Sequence, residues 1–71
     1  MDVSAPLRLV VNGEPQELAA VSLAEAIAAL DFADAIVATA LNGVFVPKRL
    51  RAEARLKEND RIEIVSPRQG G

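Results

Sequence analysis

The 71-residue chain is 51% hydrophobic, carries a net charge of −2, and contains neither cysteine nor histidine. A chain of this length makes one small domain, and its composition excludes a disulfide framework, a Cys/His zinc site and a thiol nucleophile. The acidic balance argues against nucleic-acid binding, and no uncharged stretch is long enough to span a bilayer. Residues 1–6 lack the basic and apolar regions of a signal peptide, which predicts a cytoplasmic protein.

The first predicted element is a β-hairpin. Residues 7–11 and 14–19 are rich in strand formers and flank Asn12-Gly13. Asn-Gly is typical of the two-residue type I′ turn, because both turn positions require a positive φ. Pro15 has no amide hydrogen to donate, so the second strand is predicted to lie at an edge of its sheet.

A helix is predicted over residues 23–30. Ser22 and Glu25 have the spacing of a capping box at its start. Leu23, Ile27 and Leu30 fall on one apolar stripe that faces a sheet. Asp31 then begins the exit from the helix.

Two further strands are predicted around a second Asn-Gly turn. Residues 36–41 are almost wholly apolar, which predicts an interior strand that is buried on both faces. Asn42-Gly43 turns the chain into a short strand over residues 44–46, and Pro47 ends the pairing.

The remainder is predicted as a charged loop followed by a final strand. Residues 48–60 form the loop, with Leu50 and Leu56 as its apolar anchors. In the strand over residues 61–65, Ile62 and Ile64 share one face and Glu63 points the other way.

Charge is unevenly distributed along the chain. Up to residue 34 there are six acidic residues and one basic residue, whereas residues 48–61 contain six basic and three acidic residues. This asymmetry is consistent with the steering of a partner protein and equally with an ordinary solvated surface.

The order of elements predicts an α+β roll in which a small sheet packs against one helix. Residues 1–6 are predicted to be an N-terminal extension, residues 7–65 the single domain, and residues 66–71 a flexible C-terminal tail. The sheet face opposite the helix is open and is the predicted docking surface. Val65 belongs either to an apolar docking patch on this face or to the core.

The chain ends in Gly70-Gly71. Glycine weakens local structure and has no side chain, so such a tail can enter a narrow channel of another protein and present the α-carboxylate of Gly71. A frayed terminus or a cloning scar would leave the same two residues. The glycines alone therefore do not decide between these interpretations.

A family resemblance adds to this interpretation. The segments Val11-Asn12-Gly13-Glu14, Ala40-Leu41-Asn42-Gly43 with Val46-Pro47, residues 56–65 and Gly70-Gly71 occur in one order over nearly the whole chain. In this order and spacing they resemble the ThiS-type sulfur carriers of thiamin biosynthesis. The resemblance implies a ubiquitin-like β-grasp fold, with a four- to five-stranded mixed sheet on one main helix.

The resemblance also implies a function. In this family an E1-like adenylyltransferase (ThiF-type) uses ATP to convert the C-terminal carboxylate to an acyl-adenylate. A sulfur donor such as a cysteine desulfurase displaces AMP, and the resulting thiocarboxylate delivers sulfur to thiazole synthase (ThiG-type). Gly71 would then carry the sulfur and Gly70 would let the tail thread into the partners. The chain would be a monomeric co-substrate, not a catalyst, and would bind no cofactor itself.

One departure from the family pattern affects the tail. Many relatives have an apolar residue where this chain has Arg68 and Gln69. Arg68 either pairs with an acidic groove of the adenylating enzyme or is simply solvated. Two other functions fit the same features: a sulfur carrier for molybdopterin, cysteine or methionine synthesis, and a ubiquitin-like modifier that is joined to lysines.

Overall fold

The structure, a computed structural model, describes residues 6–32 and 35–66. A five-stranded sheet has the strand order β2-β1-β5-β3-β4. β1 and β5 are parallel and the other neighbours are antiparallel, so the sheet is mixed as predicted. The elements in chain order are β1 (Leu7–Val11), β2 (Glu14–Leu18), α1 (Leu23–Ala29), β3 (Ala38–Leu41), β4 (Val44–Val46), a 3₁₀ helix (Lys48–Glu53) and β5 (Arg61–Val65).

Both Asn-Gly pairs form the tight turns that the sequence predicts. Each asparagine has a φ of 51° and each glycine a φ of 85°, so both turn positions have the positive φ that a type I′ turn requires. β2 is an edge strand, and its Pro15 pairs with Val10 of β1. The edge position accommodates the missing amide hydrogen of proline, which confirms the prediction.

The start of α1 is held by the predicted pair of side chains. The Ser22 hydroxyl accepts a hydrogen bond from the Glu25 amide at 3.2 Å. The Glu25 carboxylate accepts one from the Val21 amide at 2.9 Å, one residue earlier than in the usual capping box. Within residues 6–32 and 35–66 no helix is long and apolar enough to cross a membrane.

Asp31 ends the helix by adopting a left-handed backbone, with a φ of 70°. The Phe32 amide donates to the Ile27 carbonyl at 2.9 Å, and the Asp31 amide donates to the Ala28 carbonyl at 3.0 Å. These two bonds are the pattern of a Schellman motif, with aspartate at the position where glycine is usual. The chain therefore turns away from the helix where the sequence predicts.

The core lies between one face of the sheet and α1. Leu23 on the helix and Ile62 on β5 are completely buried. Strand alternation explains the pattern on β5, because Ile62 and Ile64 point toward the helix and Glu63 points away, as predicted. The buried apolar residues are Leu9, Val11, Ala20, Leu23, Ala26, Ile27, Leu56, Ile62 and Ile64.

The predicted burial of residues 36–41 on both faces is wrong. β3 begins only at Ala38, and Ile36 is 83% exposed. Thr39 is the one buried residue of the strand. β3 has a neighbouring strand on each side, but α1 covers only one face of the sheet. A strand in the interior of the sheet is therefore still exposed on the face that points away from α1.

The charged segment that follows β4 is also different from the prediction. Residues 48–53 form a 3₁₀ helix, Leu50 is 40% exposed, and Arg51 is buried in its place. The Arg51 guanidinium donates to the Thr39 hydroxyl at 3.0 Å and to the Val37 carbonyl at 2.8 Å. These bonds offset the cost of burying the side chain. The other predicted anchor, Leu56, is buried as expected.

Candidate functional site

The last strand, β5, leads the chain out of the fold. β5 lies between β1 and β3, and its final residue Val65 pairs with Ala38 at the start of β3. Ser66 follows and is the last residue that the structure describes. The predicted tail residues Arg68, Gly70 and Gly71 lie outside the described residues, as do residues 1–5 of the predicted extension.

The side chain of Asn12 holds the end of β5 in place. Its carbonyl oxygen accepts a hydrogen bond from the Ile64 amide at 2.8 Å, and its amide nitrogen donates to the Ile64 carbonyl at 3.3 Å. Backbone pairing of β1 with β5 stops beside Ile62, where the backbone amide of Asn12 donates to the Ile62 carbonyl at 2.9 Å. The asparagine side chain thus continues the ladder for two more residues. Sequence reasoning missed this contact because it interpreted Asn12 only as a turn residue.

We expect Asn12→Ala to destabilise the protein by about 1–3 kcal/mol, because the partly buried polar groups of Ile64 lose their partner. A left-handed backbone also disfavours alanine. Urea unfolding followed by circular dichroism measures the loss, and hydrogen exchange of the Ile64 amide should become faster. Asn12→Gly is the control, since it removes the same bonds and keeps the backbone relaxed. Unchanged Ile64 exchange in both variants would show that the side-chain bridge is not formed.

The start of β5 is held by a second asparagine and a buried aspartate. The Asn42 carbonyl oxygen accepts from the Arg61 amide at 2.8 Å, and its amide nitrogen donates to Asp60 at 3.0 Å. The other Asp60 oxygen accepts from the Lys57 amide at 2.8 Å. Both ends of β5 are therefore fixed by side chains from the two Asn-Gly turns.

The sheet face away from α1 carries an exposed apolar patch at the end where β5 stops. Phe45 is 64% exposed and Val65 is 59% exposed. Ala40 pairs with Phe45 and Ala38 pairs with Val65, so the four side chains share this face. We call these four residues the outer patch. Glu63 also pairs with Ala40, so a charged side chain lies on the same face beside the patch.

Val65 lies on the surface and not in the core. Because Ile62 and Ile64 face the helix, alternation places Val65 on the opposite face with Glu63. The core alternative for Val65 is therefore wrong. Its participation in docking stays a prediction.

This end of the sheet offers apolar surface and a fixed strand end. In the described part of the chain, no group of three or more acidic, histidine or cysteine side chains is placed to hold a metal ion. The Asn12 side chain, which reaches the end of β5, is engaged with the backbone of Ile64. The arrangement can present the residues after Ser66 to a partner that packs on the outer patch.

A mixed five-stranded sheet that wraps one helix, with its last strand leading to the C terminus, defines a ubiquitin-like β-grasp protein. The model of the ThiS family matches residues 9–71, and the chain belongs to this family. It is similar to the crystal structure of the thiamine biosynthesis protein ThiS from Geobacter metallireducens, with 28% sequence identity and a TM-score of 0.77. That similarity covers 92% of this chain and 100% of the other. A search of the curated proteins finds no match. The predicted resemblance to the ThiS family and the predicted β-grasp fold are thus confirmed.

Proposed function

We propose that this protein is a sulfur carrier of thiamin biosynthesis and that the α-carboxylate of Gly71 bears the sulfur. The observation that carries this proposal is membership in the ThiS family, with a match that runs through the Gly70-Gly71 end. The similarity to a ThiS structure over 92% of the chain supports the same role.

The proposed chemistry takes place at one group of this chain. In the active site of an E1-like adenylyltransferase (ThiF-type), a Gly71 carboxylate oxygen attacks the α-phosphate of ATP, and pyrophosphate leaves. The terminal sulfur of a donor persulfide, such as that on a cysteine desulfurase, displaces AMP to give an acyl disulfide, and a thiol then cleaves the S–S bond by disulfide exchange and releases the thiocarboxylate. The thiocarboxylate then gives its sulfur to thiazole synthase (ThiG-type). Adenylation is needed because a free carboxylate is a poor electrophile, whereas AMP is a good leaving group.

In this scheme the fold binds the partner enzymes and positions the Gly71 carboxylate, and the partners supply the catalytic groups. The outer patch gives a partner an apolar surface beside the end of β5, where Val65 is 59% exposed. Asn12 keeps that strand end from fraying. In this proposal Gly70 lets the tail pass through a narrow channel, and Arg68 pairs with a carboxylate along it. The protein is then a co-substrate of its partner enzymes.

Intact mass measurement of the protein from its native host tests the proposal. We expect a fraction whose mass reflects replacement of one oxygen by one sulfur, with fragmentation locating the change at Gly71. The same fraction should increase when thiazole synthase is deleted, because the loaded carrier then has no acceptor. Gly71 joined by an amide bond to a lysine of another protein would assign the modifier function instead.

A further inference from the structure

A small pocket lies between α1 and the 3₁₀ helix, on the side of the sheet that α1 covers. Its volume is about 180 Å³, and it is lined by Ala24, Ile27, Lys48 and Arg51. The two apolar residues belong to α1 and the two basic residues belong to the 3₁₀ helix. The pocket therefore has one apolar wall and one cationic wall, and it shares no residue with the outer patch.

The guanidinium of Arg51 is a buried positive charge. Arg51 is 7% exposed, and its Nε and Nη2 atoms donate to the Thr39 hydroxyl and the Val37 carbonyl. These acceptors satisfy two of the five N–H donors of a guanidinium, but both are neutral. Within residues 6–32 and 35–66 the one ion pair joins Arg8 to Glu58. No carboxylate of these residues therefore compensates the buried charge, and burial of such a charge is costly.

The third guanidinium nitrogen, Nη1, is the group that an anion can reach. Among the described residues it has no hydrogen-bond acceptor, yet no buried side-chain nitrogen or oxygen of these residues lacks a partner. Nη1 is therefore accessible to solvent, although the residue as a whole is buried. Because Arg51 lines the pocket, an anion that enters there can approach this nitrogen.

Lys48 adds a second positive charge to the pocket. It precedes Arg51 by three residues, which is one turn of a 3₁₀ helix, so the two side chains lie on the same side of that helix. The acidic residues of the two helices are engaged elsewhere. Glu25 accepts a hydrogen bond from the Val21 amide, and Glu53 lines a different opening beside β4. Among the described residues, the pocket is thus lined by two cations and by no carboxylate.

We propose that this pocket binds a phosphate group, either as the free ion or as the end of a small phosphate monoester. A phosphate monoester carries a charge of about −1.5 to −2 at pH 7, which matches two cations, whereas a carboxylate compensates only one. The guanidinium supplies directed donors and the ammonium a flexible point charge, and phosphate oxygens accept from both.

The size of the pocket limits the ligand. Its volume of about 180 Å³ is smaller than the about 300–1,000 Å³ that is typical of sites for drug-sized ligands. A phosphate ion or a short monoester is therefore the appropriate class. The apolar wall formed by Ala24 and Ile27 would contact the carbon atoms of an ester. The site is independent of the proposed function, because it involves neither the tail nor the outer patch.

NMR titration of the full-length, isotope-labelled protein at neutral pH and constant ionic strength tests the site. Inorganic phosphate and glycerol phosphate are the two probes, each exchanged against sodium chloride. We expect saturable shifts of the Ala24 and Ile27 amide signals and of the Arg51 Nε–H signal. Tighter binding of glycerol phosphate would support an ester as the ligand, and tighter binding of inorganic phosphate would support the free ion.

Lys48→Gln and Lys57→Gln are matched variants, because they replace the two lysines of the chain and both side chains are exposed. Lys57 does not line the pocket. We expect Lys48→Gln to raise the Kd for phosphate by about tenfold, since a hydrogen bond between charged groups is lost, and Lys57→Gln to leave it unchanged. Arg51→Gln should abolish saturation. Lys48→Gln changes only an exposed side chain and so provides the result if Arg51→Gln does not fold.

Urea unfolding gives a second measurement. A ligand that binds only the folded protein stabilises it, so phosphate should raise the unfolding midpoint of Lys57→Gln more than that of Lys48→Gln. The comparison of the two variants is needed because phosphate also stabilises folded proteins by exclusion from their surfaces.

Three results would overturn the proposal. The first is the absence of saturable shifts at Ala24, Ile27 and Arg51 in the wild type. The second is an equal Kd for Lys48→Gln and Lys57→Gln. The third is binding of acetate at these residues as tightly as phosphate, which would indicate an acidic side chain of another protein as the occupant. None of these results affects sulfur loading at Gly71, which the intact mass measurement tests separately.

Discussion

Deletion of Gly71 is expected to abolish sulfur loading and to leave the fold intact. The truncated chain still ends in a glycine carboxylate, but this carboxylate lies one residue short of the position that Gly71 would reach. One extended residue spans about 3.3–3.6 Å, whereas a misplacement of about 1 Å already costs on the order of a hundredfold in rate. Incubation with the adenylating enzyme, ATP and a sulfur donor, followed by intact mass measurement, gives the loaded fraction.

An extended chain provides the complementary test. Addition of one alanine after Gly71 leaves both glycines in place and moves the carboxylate too far by the same distance. This variant should also remain unloaded, and both variants should unfold at the wild-type urea concentration, because neither changes a residue of the core. Sulfur at the new C terminus of either variant would contradict the role of Gly71.

The sequence correctly predicted the turns, the helix start and the buried face of β5, because each depends only on residues that are close together in the chain. Asn12 and Asn42 each precede a glycine, and this pair requires nothing beyond its own two residues to favour a tight turn. Ser22 and Glu25 are three residues apart, so the helix start is determined within one turn. The alternation of Ile62, Glu63 and Ile64 likewise fixes which face of β5 is buried.

The predictions that were wrong depend on contacts between distant residues. Hydropathy places Leu50 inside and Arg51 outside, whereas the structure does the reverse. Arg51 is buried because its guanidinium donates hydrogen bonds to Thr39 and to the Val37 carbonyl. These acceptors are 12 and 14 residues away in sequence, so no local pattern indicates the burial. The composition of residues 48–53 does contain a signal for a helical turn, since lysine, arginine, leucine, alanine and glutamate all favour helix.

The candidate site was predicted in part. The two glycines are read directly from the sequence, and the order of elements, with one helix for the whole sheet, predicts that one sheet face is uncovered. The bridge from Asn12 to Ile64 joins residues 52 positions apart, and no local pattern reports it.

Replacement of core isoleucines is expected to give the largest loss of stability. Ile62 is completely buried on β5, and Ile27 on α1 is 3% exposed. Truncation of either to alanine should cost about 2–5 kcal/mol, from the lost transfer of apolar groups and from the cavity that remains. Ile64→Ala, at 8% exposure, should fall in the same range. The chain has no tryptophan or tyrosine, so urea unfolding is best followed by far-UV circular dichroism.

Ile36→Ala is the matched control, because Ile36 is 83% exposed and the same atoms are removed. Its cost should lie within about 0.5 kcal/mol, as for most surface substitutions. A domain of this size has a total stability of about 4–11 kcal/mol, so Ile62→Ala alone can remove much of it. Ile62→Val, at about 0.5–1.5 kcal/mol, keeps a graded measurement possible if the alanine variant is unfolded in water. Equal losses at Ile36 and Ile62 would contradict a core confined to the helix side of the sheet, because only burial on that side distinguishes the two isoleucines.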